Sequence, residues 1–178
     1  MTPEKAESRT IWLKELSPDS SSEALLAARE LLLEYGRFVI AQPGAARFCF
    51  GSLEKEASRL PLGYLEQSGG CLVAFVDNVP TGFVAWRAVA PSSQVVADAW
   101  EMKRLWVRPG GRGLGLGKAL TEAVLDRAVA AKRKAVYLDT APASMAAAYR
   151  MYLDLAFTPC AAYNDNPVEG LVYLVKFL

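Results

Sequence analysis

Residues 104–120, RLWVRPGGRGLGLGKAL, place Gly110, Gly111, Gly113, Gly115 and Gly117 within eight positions, between a strand-like run and a helix-like one. Glycine costs more backbone entropy on folding than any other residue, so such density asks for a reason beyond connection. Main chain without side chains can approach a ligand closely. Its N–H groups can point into one concavity, and a following helix N-terminus adds partial positive charge. Arg108, Arg112 and Lys118 lie around the same loop. The chemistry this suits is the holding of a phosphate or pyrophosphate; the plainer alternative is a flexible connector.

Spacing separates the phosphate-binding patterns. A P-loop requires Gly, four residues, then Gly-Lys-Ser/Thr, but Arg112 stands at the first glycine position and Ala119 at the hydroxyl position. A dinucleotide fingerprint, Gly-x-Gly-x-x-Gly, also fails: Gly111 and Gly113 lead to Leu116, and Gly113 and Gly115 lead to Lys118. The segment also comes too late in the chain for a first βα turn. What remains is Arg-Gly-Leu-Gly-Leu-Gly, residues 112–117, between strand and helix.

The elements that must position this loop follow from apolar periodicity. RTIWLKEL reads as a first strand, and residues 17–42 as a long helix opened by a capping box from Ser20 to Glu23, with Leu25, Leu26, Leu32 and Leu33 at helical spacing. FGSLEKEASRL is a shorter second helix ending near Pro61. Two apolar runs flank Asp77-Asn78 as an antiparallel hairpin, and a third strand runs from about Asp98 to Val107, stopping at Pro109. After the glycines, Leu116, Leu120, Val124, Ala128 and Ala131 share one helix face, with Lys118, Glu122 and Asp126 on another. AVYLDT is then a buried strand, completing a right-handed βαβ unit. PASMAAAYRMYLDLAF is a further helix, and two strands close the chain around a loop rich in Asn, Asp, Pro and Gly.

Composition bounds the function. The 178 residues, 52% hydrophobic, suit one domain over 1–178 with a single substantial core. Lys and Arg number 20 against 19 Asp and Glu, a net charge of +1 that gives no reason to expect nucleic acid or an anionic membrane. No apolar run approaches the ~18 residues of a membrane span, and the polar N-terminus lacks a signal-peptide core, so a cytoplasmic location is expected. With no histidine, imidazole metal sites and His-dependent triads are excluded, and no metal is expected. Cys49, Cys71 and Cys160 are odd in number and far apart, which suits reduced thiols in the core.

The glycine segment resembles the acetyl-coenzyme A signature of the GNAT superfamily of N-acetyltransferases, Arg/Gln-x-x-Gly-x-Gly/Ala, with Arg112, Gly115 and Gly117 in the defining places. EMKRLWVRP resembles that family's central strand, and AYRMYLDLAF its helix near the C-terminus, with Tyr152 in the tyrosine place and Ala156-Phe157 replacing Gly-Phe. The order of elements agrees along nearly the whole chain. The resemblance implies an α/β (α+β) fold, a mixed and mostly antiparallel sheet of about six to seven strands with about four helices. It implies acetyl-CoA as co-substrate and an amine acceptor, for which the composition, showing no basic nucleic-acid surface, favours a small molecule; a homodimer is one assembly the reading allows.

The resemblance also assigns roles. Leu105 and Val107 would offer main-chain groups to the pantetheine arm. The main-chain N–H groups of Arg112, Gly113, Leu114, Gly115, Leu116, Gly117 and Lys118 would cradle the phosphates. The Val107 N–H would face the oxyanion. An alkylamine with a pKa near ~10.4 is only about one part in a thousand neutral at pH 7, so a proton must be removed. Glu101 stands where many relatives carry the general base, though it could equally pair with Lys103 or Arg104. Tyr152 would protonate the departing thiolate, with Tyr149 a weaker substitute; its alternative is a half-buried helix aromatic. Tyr35, Phe38, Phe48 and the loop holding Tyr163, Asn164, Asp165 and Asn166 would surround the acceptor. A non-catalytic acyl-coenzyme A sensing module, a nucleotide-binding regulatory domain and a protein or peptide N-acetyltransferase remain alternatives.

Overall fold

The computed structural model describes residues 9–43, 45, 50–166 and 168–178. After β1 (Ile11–Glu15), α1 (Ser22–Ile40) forms because Ala24, Ala28, Leu31 and Leu32 recur on one face, which is buried. Leu26, expected on that stripe, is 54% exposed. The helix is capped one residue later than the sequence implied. Ser21 Oγ accepts from the Ala24 N–H at 3.3 Å, whereas Ser20 Oγ is taken by the Ser17 N–H at 2.9 Å in the preceding turn. Next come α2 (Phe50–Ser58) and a single turn, α3 (Leu62–Leu65), which has no apolar period long enough to read. It raises the α-helices among the described residues to five.

Asp77 and Asn78 both take positive φ, +49° and +65°, as a type I′ turn demands, and fold β2 (Gly70–Val76) onto β3 (Val79–Val89). β4 (Ala99–Val107) pairs antiparallel with β3. A 3₁₀ turn at Pro109–Gly111 and the glycine loop lead into α4 (Leu116–Ala130), which crosses to β5 (Ala135–Thr140), parallel to β4. Then follow α5 (Ala146–Asp154), β6 (Thr158–Cys160) and β7 (Val172–Phe177). The strand order is β1-β2-β3-β4-β5-β7-β6, with β4–β5 the one parallel pair among the described strands.

Alternation along the strands divides the core into two layers. Val73, Phe75, Phe83 and Ala85 pack under α1 and α2; Leu72, Ala74, Val84 and Trp86 pack under α4, against Leu116, Leu120, Val124 and Ala128. Ala131, expected to extend that stripe, is the exposed C-cap of α4. No helix among the described residues is long and apolar enough to cross a membrane.

Two features of β4 open the sheet. Pairing with β5 covers Ala99, Trp100 and Glu101 against Ala135, Val136 and Tyr137, and stops there. Between the partners Phe83–Trp106 and Ala85–Lys103, β3 contributes one residue and β4 two, Arg104 and Leu105. This is a β-bulge, with Arg104 at φ +61°. The bulge bends the C-terminal half of β4, and past Glu101 a cleft lies between the two strands.

Candidate active site

The main chain forms one wall of the cleft. The Arg108 N–H donates to the Thr81 carbonyl at 2.9 Å, so the neighbouring Gly82–Val107 pair is of the kind that makes no hydrogen bonds to each other. The Val107 amide therefore faces away from β3, toward the opening. Past the strand, Gly113 and Gly115 adopt φ of +79° and +78°, and no atom lies within 4 Å of where a Cβ would stand at either. Gly115 is the N-cap of α4 and supplies no side-chain acceptor. The Leu116, Gly117 and Lys118 amides open the first helical turn, where no intrahelical carbonyl reaches them. The result is a set of uncapped donors at the positive end of a 15-residue helix.

The other glycines differ in their reasons. A Cβ on Gly111 would stand 2.2 Å from Thr81 Cγ2, so that position is fixed by packing; Gly110 faces open space at ordinary φ. Of the three cations read around the loop, Arg112 and Lys118 line the groove. Arg112 Nε donates to the Val107 carbonyl at 3.3 Å, and its guanidinium lies 5.4 Å from the Trp106 ring centre. Arg108 does not join them. It turns back to Glu34 on α1, donating at 2.8–3.1 Å to a carboxylate that also accepts from Trp106 Nε1. From the glycine loop a groove of about 460 Å³ runs past Leu105, Trp106 and Val107 to the start of α5.

Where the groove meets the cleft, Tyr35, Arg104, Asp139, Met145 and Tyr152 converge. Tyr152 is 5% exposed, and its ring packs edge-on against Phe157. Burial, with Tyr35 and Asp139 adding to it, pushes its phenol well above the usual tyrosine range. Burial likewise raises Tyr35. The bulge sends Arg104 into a two-pronged pair with Glu56 on α2, at 3.0 and 3.1 Å, with its guanidinium 5.7 Å from the Tyr35 ring centre. Burial works to raise the Glu56 carboxyl, but Arg104 and the Tyr64 hydroxyl overcome it and hold it below the ordinary value.

Glu101 is 2% exposed and surrounded by donors. Lys103 Nζ, Tyr163 OH and Asn164 Nδ2 reach one oxygen at 3.1–3.2 Å, and Arg87 grips the other at 3.1 Å. Desolvation pushes its pKa up, and the Lys103 and Arg87 charges pull it further down, so the carboxyl sits below its ordinary value. Asp139, at the C-terminal end of β5, accepts from Asn164 and Asn166 on Oδ2 at 3.0 and 3.2 Å. Its Oδ1 accepts from no described residue, and the side chain lines the cleft.

The profile of the Acetyltransferase (GNAT) family matches residues 28–157. The chain belongs to the GNAT family. It is 35% identical over 74 residues to an uncharacterised N-acetyltransferase of Schizosaccharomyces pombe, covering 42% of this chain and 45% of that one. It is 34% identical over 109 residues to the N-acetylaspartate synthetase of Homo sapiens, covering 61% and 34%. The matched segments thus span less than half the length of these relatives. The fold matches the PaiA N-acetyltransferase of Thermoplasma acidophilum, solved with coenzyme A, at a TM-score of 0.63 and 18% identity, over 95% of this chain and 99% of that one.

Within this GNAT frame the residues picked from the sequence divide in two. Leu105, Val107, Arg112, Gly113, Gly115, Gly117 and Lys118 line one groove, and Tyr152 lines the cleft it meets; Leu114 packs against the core, and Leu116 is buried beneath the helix. Glu101 departs from a base's requirements. Both oxygens are occupied and two cations lower its basicity, so the pairing alternative describes it better, with Arg87 taking the place expected of Arg104. Tyr149 packs on the core side and stays out of the groove. Tyr35 and Phe38 line the groove, Phe38 lying 5.3 Å from the Trp106 ring; Phe48 and Cys49 fall outside the described residues. The Tyr163 hydroxyl and the Asn164 and Asn166 amide nitrogens donate to Glu101 and Asp139, the two asparagine Oδ1 atoms accept from the Asn166 and Val168 N–H groups, and Asp165 is exposed. Cys71 is buried, its thiol pushed up to about 12, and burial also raises Cys160, so neither is poised as a nucleophile. Sequence reasoning missed Arg104 and Asp139. Arg104 was read only as a partner for Glu101, and the signal for Asp139 was a lone acid in an apolar strand.

Proposed function

We propose that the chain is an acetyl-coenzyme A-dependent N-acetyltransferase that moves the acetyl group directly to the primary amine of a small molecule. The observation that carries this reading is the set of uncapped amides at Gly115–Lys118, open to a groove that continues to the splayed strands. Those amides, with Arg112 and Lys118 beside them, suit a pyrophosphate. The outward amide of Val107, with Leu105 lining the groove beside it, suits an amide-bearing pantetheine arm, and the apolar start of α5 closes the other side. The name of the human relative, N-acetylaspartate synthetase, supports a small amine as acceptor.

In this mechanism the acceptor nitrogen attacks the thioester carbon while the Val107 N–H receives the developing oxyanion. The carbon–sulfur bond breaks as the Tyr152 O–H proton passes to the departing sulfur, and the proton that the nitrogen sheds as the amide forms restores the phenol. Because the acceptor enters as an ammonium, one proton is released overall. We assign its removal to the free oxygen of Asp139, directly or through water, with Glu101 acting as the anchor for Lys103, Arg87 and Tyr163. Lys103 and Arg104 assist, since neighbouring positive charge disfavours the ammonium form.

Calorimetric titration with acetyl-coenzyme A, using ATP and NAD as controls, followed by a thiol-release screen of primary amines, tests the reading. Selective coenzyme binding with amine-stimulated thiol release is the expected result. Binding without release from any small amine would favour the sensing module or a protein acceptor, and absent binding would return the glycines to a connector. Asp139→Asn should lower kcat about 100-fold with coenzyme affinity unchanged; wild-type turnover would remove Asp139 from the mechanism.

A further inference from the structure

A second concavity, of about 300 Å³, adjoins the cleft on the α2–α3 side and is lined by Lys55, Arg59, Arg87, Lys103 and Arg104. Lys103 and Arg104 line both spaces. Five cations around one small pocket are unusual in a chain of net charge +1. The carboxylates nearby do not neutralise them. Arg104 is matched by Glu56, which lines the pocket with its oxygens already engaged, and Arg59 by Glu66. Arg87 and Lys103 share the single carboxylate of Glu101. Lys55 has no carboxylate partner among the described residues. Two positive charges are left over, and Arg87 and Lys103 are held rigidly from beneath by a buried anchor.

We propose that this pocket binds the anionic group of the acceptor, so that the substrate is a primary amine carrying a carboxylate or phosphate. The inference rests on the acetyltransferase reading for the fate of the amine; the binding itself does not need it. Guanidinium groups match the forked geometry of either anion. An acceptor seated there has its amine directed into the cleft that Lys103 and Arg104 also border. The same surplus repels dications, so polyamines are disfavoured by charge as well as by lack of contacts.

The test uses matched amines: 4-aminobutyrate and ethanolamine phosphate against butylamine, ethanolamine and putrescine. Thiol release with acetyl-coenzyme A should favour the anionic members by at least about tenfold in kcat/KM, the worth of one modest charge contact. The exposed double variant Lys55→Gln, Arg59→Gln should reduce that preference about tenfold while coenzyme affinity and circular dichroism stay unchanged. Direct titration of each amine against the protein gives a readout independent of turnover. Equal or better use of neutral amines or putrescine overturns the proposal, as does failure of both anionic amines to bind. Binding of an anionic amine that the double variant weakens, in a protein that ignores acetyl-coenzyme A, would keep the pocket and sink the acetyltransferase.

Discussion

Tyr152 suits a proton donor because its surroundings oppose ionisation. Burial acts first, and Tyr35 and Asp139 add to it, so the phenol keeps its proton above pH 10 and offers an O–H at every pH where the protein would work. Tyr152→Phe removes one hydroxyl and little volume. It should lower kcat about 100-fold or more, with acetyl-coenzyme A affinity within about threefold, in steady-state kinetics and calorimetry; undiminished turnover would end the acid assignment. The glycine loop makes a sharper contrast. Gly115→Asp forces a side chain onto φ +78° and places a negative charge where the uncapped amides point, and should weaken coenzyme binding more than about 100-fold. Gly110→Asp, in open space at ordinary φ, should bind within about threefold of wild type. Equal effects at the two positions would mean that the loop responds to charge in general and holds no specific cradle.

At the scale of elements, the end of α5 explains a departure in the sequence. The Phe157 N–H donates to the Tyr152 carbonyl at 3.0 Å and the Ala156 N–H to the Leu153 carbonyl at 2.9 Å, a Schellman close that puts Ala156 at φ +62°. Glycine takes that conformation without strain, so the resemblance's Gly-Phe is a backbone requirement that alanine meets under strain. Ala156→Gly should stabilise the fold by about 0.5–1 kcal/mol, the relief of strain less the added freedom of the unfolded chain, raising Tm by about 1–4 °C in calorimetry. An unchanged or lower Tm would show that the strain is absorbed elsewhere. Elements whose cause is local were legible in the sequence: the type I′ pair at Asp77-Asn78, the βαβ crossover and the buried face of α4 all follow from short-range chemistry. The bulge was not legible. Nothing in KRLW marks Arg104 for positive φ, because the bulge is specified by the register of β4 against β3 and by Glu56, 48 residues earlier. Separation in sequence likewise hid Arg87, 14 residues before Glu101, and Tyr163 and Asn164, 62 and 63 residues after it, whereas the neighbouring Lys103 was legible.

Across the whole molecule, β4 is the hub, and three glutamates fasten its surroundings to it. Glu34 ties α1 to Trp106 and Arg108, Glu56 ties α2 to Arg104, and Glu101 joins β4 to Arg87 on β3 and to the loop before β7. All three carboxyls sit below the ordinary glutamate value of 4.5: Glu34 chiefly through its hydrogen bonds from Arg108, the other two because their cations outweigh burial. The sign follows from linkage. The unfolded chain takes up protons that these folded carboxylates refuse, so their contribution is present above pH 4.5 and is lost as pH falls through the folded values. Urea unfolding across pH should therefore show stability that these groups leave level from neutrality to about pH 5 and that declines below, by up to about 1.4 kcal/mol per pH unit for each proton taken up. Glu101→Gln separates the hub from ordinary acid denaturation. It leaves Arg87 and Lys103 facing an amide, which should cost about 3 kcal/mol at pH 7, and it removes one proton's share of the acid slope. A variant that loses stability at pH 7 yet keeps the full wild-type slope would show that the folded Glu101 carboxyl is not held below its unfolded value, and the ionic anchor beneath the basic pocket would have to be withdrawn.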